Sequence, residues 1–426
     1  MRNRANSRIF YGWWIVATCI VVNMLHAGAA FYAFSRFLPT LMSEFDSGAT
    51  VIAGAVSLYM LMVGLTAPVA GKLTDKYGPR RLIVIGAVIA AVGFMFLGLA
   101  SAVWHIYICY FVVGIGMSGA GFVPVSVAIS NWFVRRRGVA MGIAMAGVSL
   151  GAIVIAPLAH YLIVVTGWQM AFVILGVLTA VLIVIPVMFV MRTRPEDMGL
   201  LPDGARPVEA KAVPELASVP DSPDPRGNSS AGDESWTLSG AFRSLPFWLL
   251  LVTFFFAGAA VAGVLQHEVN FLITMGIPMA TASFALGLTG GIGGLGKVVF
   301  GFLADKFTPK YASVLCIALQ VVGLVILIMT QNMALVWAFV FVYGFAMGGW
   351  LTLEPLVTGQ FFGMASFGTI FGWVLAAAAV GSALGPFLMG VIYDVSESYS
   401  VGFIIFLALY IVAIAALSFA RRPKLA

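Results

Sequence analysis

The sequence predicts an all-α membrane protein of twelve transmembrane helices in two pseudo-symmetric six-helix bundles, with both termini in the cytoplasm. Three observations predict it. The first is composition: 61% of the residues are hydrophobic and 9% charged, against about a quarter charged in soluble domains, so most of the chain must face lipid. The second is a series of apolar runs, each near the roughly 20 residues that cross a hydrocarbon core. The third is an internal echo: Gly71-Lys72-Leu73-Thr74-Asp75-Lys76 is answered by Gly301-Phe302-Leu303-Ala304-Asp305-Lys306 at an offset near 230 residues.

The runs fall near 11–35, 51–73, 82–101, 105–131, 138–163 and 168–191, then 246–273, 280–303, 312–330, 334–358, 367–391 and 398–420. The first is too long for a signal-peptide core and lacks a small-residue cleavage site, so it reads as a retained helix. Between the sixth and seventh runs the chain turns rich in Pro, Ser, Asp and Gly, a composition that cannot bury enough apolar surface to fold alone. The expected organisation is an N-terminal bundle over 1–191, a cytoplasmic connector over 192–245 and a C-terminal bundle over 246–426. A second echo supports the repeat: Gly147, Gly151 and Pro157 are matched by Gly381, Gly385 and Pro386. Paired repeats of this kind are the architecture of secondary transporters, whose site lies between the repeats near the bilayer midplane.

Orientation follows from the short loops. Placing the N-terminus inside puts Arg2, Arg4, Arg8, Lys72, Lys76, Arg80, Arg81, Arg135, Arg136, Arg137, Arg192, Arg194, Lys306, Lys310, Arg421, Arg422 and Lys424 on the cytoplasmic side and leaves Arg36 at an outer end. That bias is the positive-inside pattern. It also accounts for the net charge of +6, which is no nucleic-acid footprint. The short loops and the absence of a large outer domain point to a plasma membrane, specifically a bacterial inner membrane; the expected working unit is a monomer.

Enzyme chemistry finds no purchase. Cys19, Cys109 and Cys316 stand isolated in apolar runs, without the paired spacing of a metal site. No nucleotide-binding loop, nucleophile elbow or paired catalytic carboxylates occur, so no cofactor, metal or ATP-driven step is expected. The glycine run Gly290-Gly291-Ile292-Gly293-Gly294-Leu295-Gly296 lies inside a spanning helix and reads as a packing face.

The segment Gly71 to Arg81 resembles the loop between the second and third helices of the major facilitator superfamily in its glycine, acidic and basic positions. Within it, the chain is similar over nearly its whole length to the monocarboxylate transporters and the bacterial oxalate/formate-antiporter branch. The residues that carry this likeness are Tyr11-Gly12-Trp13-Trp14, Tyr32-Ala33-Phe34-Ser35-Arg36, Arg135-Arg136-Arg137-Gly138, Tyr343-Gly344-Phe345-Ala346-Met347-Gly348, Phe361-Phe362-Gly363, Phe367-Gly368-Thr369-Ile370, Gly385-Pro386 and Tyr393-Asp394. The resemblance implies the major facilitator fold. It also makes Gly71, Asp75, Arg80, Arg81, Asp305 and Lys306 parts of the gate rather than of the substrate site.

An ionisable group inside a span costs about 2.5–3.5 kcal/mol on insertion scales, so each needs a reason. Lys297 lies deep in the eighth run, two turns before Asp305. Relatives place an arginine at this position to bind a carboxylate, so the resemblance makes Lys297 the substrate anchor. The alternative is a lysine paired with Glu354 or Asp305 for structure. Lysine keeps the charge and loses the planar two-donor fork. Eukaryotic relatives also carry an aspartate one turn earlier, where this chain has Gly293. Proton coupling must then fall to Glu354, His267 or Glu268, each of which has a structural alternative. Arg36 matches a basic residue that draws the anion in from outside, and an outer gate pairing it with His267 and Glu268 is a further expectation. Asn23 and His26, three residues apart on one helix face and with helix packing as their alternative, and Tyr343, matching a cavity aromatic, complete the substrate candidates.

The function expected is proton-coupled monocarboxylate symport by alternating access, with a small monocarboxylate, a proton and the lipid bilayer as partners. Anion exchange of the oxalate/formate type is one alternative, weakened because that branch uses a second basic residue on the eleventh helix and 367–391 has no Lys or Arg. Efflux of a neutral or cationic compound is another, for which a buried lysine is a liability.

Overall fold

A computed structural model describes residues 10–204 and 236–422. The connector residues 205–235, along with Arg2, Arg4, Arg8 and Lys424, lie outside the described residues. Every regular element described is a helix, because a chain in hydrocarbon must satisfy its backbone N–H and C=O groups within each segment or in a closed barrel.

Eleven helices among the described residues are long and apolar enough to cross a membrane, and one of them, Arg137–Phe189, has 53 residues. Inside it Gly167 adopts φ 81°, a left-handed turn that glycine alone enters freely. That turn divides the segment into two crossings, which makes twelve. We number them α1 (Gly12–Glu44), α2 (Ala49–Tyr77), α3 (Pro79–Leu97), α4 (Val103–Trp132), α5 (137–166), α6 (168–189), α7 (Leu245–Thr274), α8 (Met279–Lys306), α9 (Pro309–Ile328), α10 (Met333–Phe362), α11 (Phe367–Ser396) and α12 (Tyr399–Phe419).

The first crossing is longer than its apolar run. It continues from Ser35 to Glu44, and Phe34, Phe37 and Leu41 on its inner side are buried. Phe37 stacks on Phe172 of α6 with ring centroids 3.8 Å apart, so packing carries the helix past the point where hydropathy fades. Helix α1 is π-helical over Gly28–Tyr32 and α5 over Gly151–Ile155. The two wide turns touch: a Cβ on Gly28 would lie 2.7 Å from Ile155 and 3.1 Å from the Gly151 Cα. Small residues permit this approach, as they do at transmembrane crossings generally.

The described ends of the connector are docked rather than loose. The Asp203 carboxylate accepts hydrogen bonds from the backbone N–H groups of Val134 (3.1 Å), Arg135 (2.7 Å) and Arg136 (3.4 Å). Trp236 packs edge-on against Phe362, and Thr237 caps the short helix Leu238–Phe242. The described ends of that stretch thus pack against the helices they adjoin.

Candidate transport site

Two matching junctions hold one end of the molecule together. In α2, Gly71 lies so close to α11 that a Cβ would strike the Gly368 carbonyl, and in α8, Gly301 meets the Gly138 carbonyl of α5 in the same way. One turn on, Asp75 accepts from the backbone N–H groups of Gly368 (2.9 Å) and Thr369 (2.7 Å) and from the Thr369 hydroxyl (2.7 Å). Asp305 accepts from the N–H groups of Gly138 (2.6 Å) and Val139 (2.8 Å). Each carboxylate therefore satisfies orphan donors in the first turn of a helix from the other half, where the helix dipole also favours negative charge. The arrangement repeats at the offset of 230 legible in the sequence.

Of the other gate candidates, Arg80 bonds back to the Met188 carbonyl within its own half (2.5 Å), Arg81 is exposed, and Lys306 lies over the Phe307 ring. Neither of these two contacts spans the halves.

Away from the latches the halves part around a cavity of about 250 Å³. Its wall is mostly apolar, with Phe31, Tyr59, Phe122 and Trp350 prominent, and its polar groups include His26, Glu354 and Ser382. Glu354 lies on the cavity wall, 1% exposed and with Oε1 unpaired. His26 stands edge-on to Phe122 (4.7 Å) beneath the π-helical turn of α1.

Lys297 lies in the seam between α8 and α5, outside the lining of that cavity, and is 4% exposed. Its Nζ donates to Ser149 Oγ of α5 (3.1 Å) and to the Gly293 carbonyl (3.4 Å). Neither Glu354 nor Asp305 is a hydrogen-bond partner of Lys297 in this conformation. The glycines before it divide in two. Gly293 and Gly296 are taken up by contact with Gly344, Phe345 and Gly348 of α10, while a Cβ on Gly290 or Gly291 would meet nothing within 4 Å. Gly290, about two turns before Lys297, shares its side of α8, so that side is open above the Gly294–Ser149 contact.

Several candidates sit elsewhere. Tyr343 is wholly buried inside the C-terminal half, its hydroxyl 2.9 Å from that of Tyr410, because it faces α9 and α12. Asn23 is likewise buried and donates to the Ala144 carbonyl (2.9 Å), tying α1 to α5. Neither lines the cavity in this conformation. Arg36 is exposed, and Glu268 is fully buried with one oxygen bonded to Thr289 (3.3 Å). His267 approaches the Pro386 carbonyl (3.2 Å). The expected pairing of Arg36 with Glu268 is thus absent in this state, whose far end is parted. Ser149 was missed; the signal lay in the repeat, where its counterpart is Ala379.

The family model of the Major Facilitator Superfamily matches residues 20–375 and 275–426. The chain belongs to the Major Facilitator Superfamily. It is similar to monocarboxylate transporter 12 of Mus musculus, 26% identical over 406 residues, covering 93% of this chain and 82% of the relative. It is also similar to monocarboxylate transporter 11 of Homo sapiens, 24% identical over 420 residues, covering 93% and 80%. Among solved structures, the fold matches the superfamily transporter FucP in the outward conformation, with TM-score 0.70, 13% identity and coverage of 96% of this chain and 99% of that one. The human organic anion transporter MFSD10 matches with TM-score 0.70, 15% identity and coverage of 95% and 99%. This superfamily member is a multi-pass membrane transporter and not an enzyme.

Proposed function

We propose that this chain is a secondary transporter that carries a small monocarboxylate together with a proton by alternating access, acting as a monomer in a plasma membrane, specifically a bacterial inner membrane. The observation that carries this reading is Lys297: a cation buried in the seam between the halves, bonded to a hydroxyl and a carbonyl. A buried charge without a counter-charge is unfavourable unless something neutralises it. A carboxylate descending the open face of α8 does so, and a cationic substrate would be repelled.

The magnitudes fit a transport cycle. Moving a two-state equilibrium from 1:99 to 99:1 takes about 5.5 kcal/mol of differential affinity. Neutralising one intramembrane charge is worth about 2.5–3.5 kcal/mol on insertion scales, so the anion supplies roughly half, and closure of the apolar walls supplies the rest. Glu354, on the wall of the central cavity with an unpaired oxygen, is the group best placed to take the proton, because protonation removes the second buried charge before the loaded carrier reorients. The chain's similarity to monocarboxylate transporters 12 and 11 points the same way.

Replacing Lys297 with Ala tests the reading. Labelled carboxylate uptake into proteoliposomes should fall to the protein-free background, while the purified variant elutes and melts like wild type. Undiminished uptake by Lys297→Ala would remove the anchor and the proposal with it.

A further inference from the structure

The Lys297–Ser149 contact joins opposite halves, and its donor count is uneven. An ammonium has three N–H donors; two of them reach Ser149 Oγ at 3.1 Å and the Gly293 carbonyl at 3.4 Å, and one remains. Ser149 accepts the lysine bond through Oγ, and its own O–H has no acceptor among the described residues. Two unused donors, one N–H and one O–H, therefore stand side by side at the foot of the open face of α8.

The fold itself does not require this pair. At the offset of 230 the same crossing is built from α2 and α11, where a Cβ on Gly64 would meet Ala379, just as one on Gly294 meets Ser149. The Lys297 carbonyl rests on Gly142 as the Ala67 carbonyl rests on Gly372. Ala67 and Ala379 thus do the backbone's work in one seam, and Lys297 and Ser149 replace them in the other. Polar side chains introduced on one side only of a repeated junction, with donors to spare, point to a ligand.

We infer that Lys297 and Ser149 together form a two-donor fork, assembled from both halves, that binds one carboxylate group with both its oxygens. This rests on the proposed carboxylate substrate and deepens it. Lysine alone supplies a point charge where an arginine would supply a planar pair of donors; the Ser149 hydroxyl restores the second donor. Because the two donors belong to different halves, the fork is intact only while α5 and α8 stay in register, and the bound anion ties the halves through its own two oxygens. The ligand class this selects is a group with two adjacent acceptor oxygens and one negative charge. A carboxamide of the same shape, with one oxygen and no charge, is rejected.

The test uses the purified full chain and equilibrium binding of a panel of labelled C2 to C6 monocarboxylates, followed with the member that wild type binds most tightly. Ser149→Ala should weaken binding about tenfold, the loss of one charge-assisted hydrogen bond, and Ser149→Thr should keep it within threefold. The deciding variant is Lys297→Arg in the Ser149→Ala background, in which the guanidinium brings its own second donor and should restore affinity to within threefold of wild type. A merely structural serine would not be rescued in this way. If Lys297→Ala abolishes binding while Ser149→Ala leaves it unchanged, or if the arginine fails to rescue, the fork is wrong and the carboxylate anchor stands. If Lys297→Ala binds normally, or no panel member binds wild type, the underlying carboxylate reading falls and the fork with it.

Discussion

Replacing Asp75 with Ala should open the latched end of the carrier. The Asp75 carboxylate accepts three hydrogen bonds from the first turn of α11, and hydrogen bonds to charged groups are worth about 1.5–3 kcal/mol each. The carboxylate stands at a partly hydrated helix end, so the three together are better set at about 2–4 kcal/mol. At 1.4 kcal/mol per tenfold, that shifts the equilibrium between the latched and unlatched arrangements by roughly 30- to 1,000-fold. Asp305 accepts two such bonds, so Asp305→Ala should produce a smaller shift in the same direction. All three native cysteines are buried, which allows spin labels to be placed selectively at exposed Lys76 and Ala365 on the two sides of the α2–α11 junction. Pulsed electron resonance should give one short distance for the otherwise unaltered protein and a second, longer population in the Asp75→Ala background. An unchanged distance distribution in that background would mean that these bonds do not hold the junction.

Three further outcomes follow from the same geometry. Gly301→Val places a side chain against the Gly138 carbonyl and should prevent latching, abolishing net uptake while leaving the protein folded in detergent. Glu354→Gln should uncouple the carrier: exchange of labelled for unlabelled carboxylate persists, but a pH gradient no longer drives accumulation. Asn23→Ala removes the bond to Ala144 and should cost about 1 kcal/mol of stability, read as a lower melting temperature with unaltered substrate affinity.

The sequence carried the fold in its hydropathy and its repeat. Twelve spans, the Gly71–Asp75 and Gly301–Asp305 pair and the depth of Lys297 were legible because lipid and backbone hydrogen bonding leave a helix few alternatives. What was not legible depends on helix rotation and on partners far apart in sequence. Tyr343 and Glu354 share α10, and which faces the cavity is set by how α10 packs on α8 and α9 through Gly344, Gly348 and Gly323. Asn23 and His26 share a helix face in an ideal α-helix, yet only His26 reaches the cavity, directly before the wide turn at Gly28–Tyr32. Ser149 carries no motif; its meaning appears only beside Lys297, 148 residues away. The end of α1 beyond Ser35 was hidden for the opposite reason, since its exposed side is polar and only the buried side, with Phe37 against Phe172, holds it helical.

The most direct measurement is uptake of labelled small monocarboxylates into proteoliposomes holding the wild-type protein, at zero membrane potential, with and without an inward proton gradient. Proton-linked symport predicts accumulation above equilibrium that tracks the size of the gradient and vanishes when the gradient is collapsed. Flux only when a second anion is loaded inside would make the protein an exchanger and contradict proton coupling, and no flux in either format would contradict carboxylate transport.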